Sequence, residues 1–470
     1  MASNNSMRLS PTGNMATRVW AEVTSSRPSS TSPIPLAPQM AAPSSRPGTA
    51  MPIWWTFLSM ALASQWYACW AFAGLWTDVA GTLPRSSGGG TPMVEGLNIH
   101  YSFAPHVDSA AEVGLVSFVV VYYRGMEDLR SCLRSIEAQD HRTAEVVLVD
   151  NGSLDGGVDA VLAEHTTMTP VRVVRRATNE GFASGANAGI AAARGEYLFL
   201  LNPDATVDVD CTSRLLGELQ RGVDIAAPRI LLRDDPRRLD NCGHGLYPDG
   251  LNWCRGRGQL GEGRFVRPEP LLLFSGAAVL MRRSALVATG GFDADYFGYG
   301  EDADLSLRAA RLGLRCGYCP DAIVRHRVGG AFGATSFKKV FLVEKNRLRV
   351  AVTHLPASWL AVSPAWTVAR HVAMALGAAS GEGLAASWST RDRWLLPFVV
   401  VAAHGASMAD LPGSFVRRRQ LRRWVRGRGG QEASSVGSSW MGRLRQARVG
   451  LREIRDRPRI ADVPASASPP

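Results

Sequence analysis

The chain has 470 residues, 46% hydrophobic and 20% charged, a balance that excludes a wholly disordered protein and leaves room for one large or two moderate cores. Its 52 lysines and arginines against 41 aspartates and glutamates give a formal net charge of +11, which points to an anionic partner: nucleic acid, a membrane surface or a phosphorylated substrate. Seven dispersed cysteines exclude the dense disulfide framework of a small secreted domain and favour a reducing compartment.

Residues 1–92 are rich in Ser, Pro, Thr and Ala and poor in acidic residues and lysine, a composition that buries too little apolar surface to fold alone. The uncharged run "IWWTFLSMALASQWYACWAFAGLW", residues 53–76, interrupts it at a length suited to a membrane span. Arg8, Arg18, Arg27 and Arg46 precede that run, so the positive-inside bias would place everything after it outside the cytoplasm, the wrong side for the chemistry set out below. An alternative is that translation begins at Met93, where the composition changes abruptly.

From Val113 to about Leu355, strand and helix signals alternate. "LVSFVVVYY" (115–123) is a continuous β-branched run of the kind buried on both faces of a parallel sheet. Met126, Leu129, Leu133 and Ile136 then recur at helical spacing. "EVVLVD" (145–150), "VRVVRR" (171–176) and "YLFLLN" (197–202) are further strands, and the alternation predicts an α/β domain with a mostly parallel sheet. Ligands of such sheets gather at the carboxyl ends of the strands. Asp150 and Asp204 both fall at such ends, and two acidic tips on one edge suit a cation or a hydroxylated, phosphorylated ligand.

Beyond Pro356, "WLAVSPAWTVA" and "WLLPFVVVAAHGASM" are apolar but broken by Pro, Arg and His, and the arginine-rich "VRRRQLRRWVRGRG" (416–429) follows. Two readings stand for residues 356–430: an interfacial anchor for anionic lipid, or a helical cap on the core with a solvated basic segment. Residues 431–470 read as a flexible basic tail. Cys316 and Cys319 form a C-x-x-C pair, with Cys242, His244 and Cys254 upstream. A zinc site needs a matching second pair, so core thiols are the preferred reading.

Four ordered blocks carry more specific information: "VVVYYRGMEDLRSCLRSI" (119–136), "VVLVDNGSLDGG" (146–157), "NEGFASGANAGIAAARGEYLFLLNPDA" (179–205) and "FSGAAVLMRRSALVATGGFDADYFGYGEDADLSLRAARLG" (274–313). Together they resemble glycosyltransferase family 2, and within it the bacterial rhamnosyltransferase-type members, over roughly half the chain. The resemblance implies a GT-A-type catalytic domain over 113–355 that moves one sugar, with inversion, from a nucleoside-diphosphate donor to a glycan or polyprenyl-linked acceptor of the cell envelope. With the interfacial-anchor reading of residues 356–430, the expected location is the cytoplasm, at the cytoplasmic face of the membrane and in peripheral contact with anionic lipid.

The same resemblance assigns residues. Asp150 and Asn151 would meet the donor's base or ribose, and Asn179, Gly181, Phe182 and Asn187 would line its pocket. Asn202-Pro203-Asp204 stands where the family carries its Asp-x-Asp motif. Asn202 replaces the first acid, and Asp204, with His326, would hold Mg²⁺ or Mn²⁺. Asp302 matches the general base, with Glu301 beside it on the substrate side and Asp304 and Arg308 in support. For each there is a plainer reading: a turn, close glycine packing, or acids favoured at a helix amino end. "QLRRW" (420–424) fits a string of processive synthases but lies far past Asp302, and is read as chance. A non-catalytic binding protein of the same fold is the alternative.

Overall fold

The computed structural model describes residues 111–164, 169–329, 335–379 and 388–429. The expectations for residues 1–92 and 431–470 lie outside them. The β-branched runs form the expected strands: β1 (Glu112–Tyr122), β2 (Ala144–Asn151), β3 (Val171–Arg176) and β4 (Gly195–Leu201), separated by helices α1 (Met126–Glu137), α2 (Gly157–Glu164) and α3 (Phe182–Ala192). Then come β5 (Ala205–Val207), α4 (Cys211–Gln220), β6 (Ile225–Leu232), β7 (Leu239–Asn241), β8 (His244–Leu246), β9 (Asn252–Cys254), β10 (Glu269–Leu271), β11 (Ala278–Arg282), α5 (Arg283–Thr289), α6 (Glu301–Arg311) and β12 (Cys316–His326). Four helices follow: α7 (Phe337–His354), α8 (Ala357–Ala379), α9 (Thr390–Ala409) and α10 (Leu411–Gly427).

The main sheet runs β10-β12-β6-β11-β4-β1-β2-β3, with β5 paired to β12 and β7 to β6. Strands β3, β2, β1 and β4 are mutually parallel, as are β6 and β12. Antiparallel β11 joins the two halves. The chain steps outward from β1 to β3 and returns on the other side of β1 as β4, so the strand order reverses there. That reversal opens a crevice at the carboxyl ends of β1, β2 and β4.

Alternate residues of β1 serve opposite faces of the sheet. Val116, Phe118, Val120 and Tyr122 pack with Leu129, Leu133 and Ile136 of α1, which recur at one-turn spacing and so form one stripe. Val119 and Val121 face Ala183, Ala186 and Ile190 of α3. The α3 glycines let that helix come close: a β-carbon on Gly185 would lie 2.7 Å from Val121 Cγ1, and one on Gly189 2.5 Å from Val119 Cγ1. Cys316 packs with one of these cores and Cys319 with the other, so the C-x-x-C pair is divided between the two faces of the sheet.

The carboxyl-terminal helices dock through buried charge. Arg417 of α10 is fully buried and pairs with Asp293 at 2.8 Å and Asp295 at 2.6 Å, while Arg418 donates to the carbonyls of Val352 and Leu355. The arginine segment is therefore in part a cap on the core, with Arg419, Arg422 and Arg423 left exposed. "QLRRW" lies inside this docked helix. Glu344, His371 and His404 bring ligand-type atoms within 4.8 Å of one another, but Glu344 is already bonded by Arg347 and Arg370, whose positive charges oppose a dication there. Among the described residues no single helix is long and apolar enough to cross a membrane, although α9 and α10 pass that test together, bent by 55°.

Candidate active site

The crevice is walled first by the turn after β2. Asp150 ends buried: its Oδ1 accepts from the Ser153 amide at 2.9 Å and its Oδ2 from Arg175 at 3.1 Å. Asn151 donates to Asn179 Oδ1 and to the Gly181 carbonyl, both at 3.1 Å, which ties this turn to the entry of α3. Gly181 has φ +91°, and a β-carbon there would lie 2.1 Å from the Phe297 carbonyl oxygen. Only glycine fits. The Phe182 ring stands edge-on to Phe292 and reaches toward Gly276, whose β-carbon position is 3.6 Å from both that ring and Asp302 Cβ.

The turn after β4 forms the floor. Asp204 is buried. Its Oδ1 faces His326 Nε2, on the last residue of β12, at 3.2 Å. Asp240 of β7 holds His326 Nδ1 at 2.9 Å. Burial opposes charge on this imidazole, but the hydrogen bonds and fields of Asp204 and Asp240 outweigh it and push its pKa up to about 10. Asn202 Nδ2 lies 3.5 Å from the same Nε2. The donor set is one buried carboxylate, one imidazole backed by a second carboxylate, and an amide. It suits a hard or borderline divalent cation, which would replace the proton on Nε2.

The third wall is the amino end of α6. Tyr299 takes φ 67°, rare for a side-chain-bearing residue, and Asn346 pins the Gly298 and Tyr299 carbonyls at 3.0 and 2.9 Å. Asn346 thereby supports the strained turn that presents Glu301 and Asp302. Asp302 receives the amides of Ala303 and Gly276 at 2.7 and 3.3 Å, Asn252 Nδ2 at 3.3 Å and His244 Nδ1 at 3.3 Å. Burial alone would raise its pKa, but His244 and the two amides bring it below the ordinary carboxylate value. Glu301 goes the other way: burial, then the neighbouring Asp302 charge, push it up to about 8, and its Oε2 has no hydrogen-bond partner.

Two family profiles cover this region: "Glycosyl transferase family 2" matches residues 117–289 and "Glycosyltransferase like family 2" residues 264–353. The N-acetylglucosaminyl-diphospho-decaprenol L-rhamnosyltransferase of Mycobacterium tuberculosis is 29% identical over 240 residues, 46% of this chain and 76% of that protein. The chain belongs to glycosyltransferase family 2. A second relative of this glycosyltransferase, the poly-beta-1,6-N-acetyl-D-glucosamine synthase of Staphylococcus epidermidis, is 24% identical over 223 residues, 46% of this chain and 51% of that protein. The solved structure of GalNAc-T7 with UDP, GalNAc and Mn²⁺ aligns over 52% of this chain and 48% of its own, with 19% identity and a TM-score of 0.43.

In this glycosyltransferase, Asp150, Asn151, Asn179, Gly181, Phe182, Asn202, Asp204, Glu301, Asp302 and His326 gather around one crevice. Asn187 does not join them. Its amide donates to the Phe292 carbonyl at 2.7 Å and accepts from the Phe292 amide at 2.9 Å, so both polar ends clamp the chain and neither is left for a donor. Asp304 and Arg308 form a fully buried pair at 2.8 Å, with His354 Nε2 on the other Asp304 oxygen at 2.7 Å. They brace α6 and do not face the crevice. Sequence reasoning missed Asp240, Asn252 and Arg257, and treated His244 and Cys254 only as an incomplete zinc set. Their local signal was a Gly-rich stretch with no clear period.

Proposed function

We propose that this glycosyltransferase moves a single sugar, with inversion, from a nucleoside-diphosphate donor to a lipid-linked envelope glycan. The observation that carries the reading is an unbroken side-chain path joining the two chemical ends of the crevice. Asp204, His326, Asp240, Arg257, Cys254, His244 and Asp302 follow one another at separations of 2.9 to 3.7 Å. A donor gripped at Asp204 and an acceptor met by Asp302 are thereby held within one rigid frame, which is what a displacement at carbon requires.

Asp204 and His326 would hold Mg²⁺ or Mn²⁺, and that ion supplies Lewis-acid neutralisation of the leaving diphosphate. This chain's residues do the rest. The turns at Asp150–Asn151 and Asn179–Phe182 receive the nucleoside and orient the sugar. Asp302 accepts the acceptor hydroxyl's proton as that oxygen bonds to the anomeric carbon and the carbon–diphosphate bond breaks on the opposite face. The diphosphate needs no protonation, so one carboxylate suffices. Glu301 is a second reading for the base, favoured by its unsatisfied Oε2 and its pKa near 8.

The rhamnosyltransferase relative supports a rhamnosyl donor and a sugar-diphospho-polyprenol acceptor for this chain as well. Trp394, Leu395, Phe398 and Val401 on α9 are exposed, and Arg419, Arg422 and Arg423 on α10 are exposed too. Exposed apolar side chains on one helix and exposed guanidiniums on the next suit the surface of an anionic membrane at its cytoplasmic face. A panel of nucleotide sugars, scored for donor hydrolysis and for transfer to a polyprenyl-diphosphate acceptor with and without Mn²⁺, tests the reading. Failure of every donor in the presence of Mn²⁺ would sink it.

A further inference from the structure

We propose that His244 is a positioning residue for the transfer, holding the Asp302 carboxylate in the orientation and charge state in which it meets the acceptor hydroxyl. The proposal rests on the reading of Asp302 as the base. His244 opens β8, and its amide donates to the Leu273 carbonyl at 2.9 Å, which anchors it beside the Phe274–Gly276 segment that also contacts Asp302. The two-stranded pairing of β8 with β9 sets His244 directly opposite Cys254. The buried imidazole therefore has Asp302 Oδ2 on Nδ1 at 3.3 Å and Cys254 Sγ on Nε2 at 3.7 Å. Asn252 Nδ2 spans the contact, 3.2 Å from Nδ1 and 3.3 Å from Asp302 Oδ1.

The imidazole thus bridges Asp302 of α6 on one nitrogen and Cys254 of β9 on the other, with Asn252 of β9 also against Nδ1. Removing it would leave Asp302 with its two backbone amides and one side-chain amide, none of which carries charge. The charged groups around His244 are Asp302 and Glu301 from α6, Cys254 and Arg257 from β9 and the turn after it, and Asp240 from β7, with Lys339 of α7 beyond Arg257. Burial disfavours an imidazolium here, but the fields of Cys254 and Asp302 outweigh it. In return His244, with Arg257, brings the Cys254 thiol down to about 7 against the effect of burial.

The test compares the full-length wild type with His244→Gln, Asp302→Asn and the double variant. Readouts are the kcat and donor KM across pH, nucleoside-diphosphate binding with Mn²⁺, and the pH dependence of Cys254 alkylation by iodoacetamide. His244→Gln is expected to lower kcat by about tenfold or more with donor KM within about twofold. The acidic limb of the rate profile should move to higher pH, because Asp302 loses its cationic neighbour. Cys254 alkylation should likewise shift to higher pH. The double variant should be no slower than Asp302→Asn, since His244 acts only through that carboxylate.

An unchanged kcat and pH profile in His244→Gln, with Asp302→Asn inactive, overturns this proposal and leaves the base assignment standing. A double variant far slower than Asp302→Asn also overturns it. Full turnover in Asp302→Asn removes the base assignment itself. Should His244→Gln fail to fold, Asn252→Ala, which removes the amide spanning the same contact, is expected to show a smaller loss of the same kind, and unchanged kinetics there count against the proposal.

Discussion

His326 Nε2 faces Asp204 Oδ1 at 3.2 Å, joining the last residue of β12 to the turn after β4, while Asp240 holds the opposite ring nitrogen at 2.9 Å. A carboxylate and an imidazole, the latter backed by a second carboxylate, thus face each other in one frame.

Removing the backing carboxylate should be felt at the metal. Asp240→Asn is expected to weaken Mn²⁺ binding about 10–100-fold, and Asp204→Ala or His326→Ala at least as much. Titration calorimetry of Mn²⁺ with a nucleoside diphosphate measures this. Because a metal must take the place of the Nε2 proton, the apparent enthalpy should also vary with the buffer's ionisation enthalpy. Wild-type affinity in Asp240→Asn would contradict the arrangement.

Asp302→Asn should lower kcat by about 10²–10⁴-fold with nucleotide affinity little changed, because the amide keeps the shape and loses the proton acceptor. Glu301→Gln is the control. If Glu301→Gln is the inactive variant and Asp302→Asn the active one, the base is the residue with the raised pKa and unsatisfied Oε2.

Gly181→Ala should fail on geometry. The position has φ +91° and its β-carbon would meet the Phe297 carbonyl oxygen at 2.1 Å. Strain of this kind costs about 1–3 kcal/mol, and movement of the 179–182 turn should weaken donor binding too. Thermal melts and nucleotide titration would show both losses, and an unaltered melting temperature would refute the contact.

Arg417→Ala leaves the partly buried Asp293 and its neighbour Asp295 without their guanidinium. Breaking one side of such a buried pair costs about 3–5 kcal/mol. Urea unfolding should show this loss, with proteolysis first entering α10. A change under about 1 kcal/mol would mean that the pair is solvated in solution.

Stability should fall as the solution is acidified from neutral. Burial, then Arg347, bring the His404 pKa down to about 3, and the neutral ring accepts from Arg347 at 2.6 Å. Unfolded histidine titrates near about 6.5, so below that pH the unfolded chain binds a proton that the folded chain refuses. This contribution is complete above about 6.5 and is lost as the pH falls toward 3, the loss reaching about 2 kcal/mol by pH 5. His404→Asn, which keeps an acceptor, should flatten that limb in denaturant titrations across pH, and an unchanged slope would count against it.

Much of this molecule is written locally. The β-branched runs of β1, β2 and β4, the apolar stripe of α1, and the placement of Asp150 and Asp204 at strand tips follow from side-chain period and turn chemistry. Those depend only on neighbours along the chain. The glycines of α3 were legible as close packing for the same reason. Asn187 and Arg417 were not. Whether a polar group faces a ligand or a carbonyl across the fold depends on which distant segment arrives beside it.

By itself, then, the sequence determined the alternation of strand and helix, the acidic strand tips and the family blocks that align them. The tertiary structure alone decided that β11 enters antiparallel between β4 and β6, that Asp240 stands behind His326, and that His244 lies between Cys254 and Asp302. The physical reason is that a strand's existence is encoded in a few consecutive residues. Its neighbours in the sheet are chosen by burial summed over the whole core, so contacts between remote residues appear only when the chain has folded.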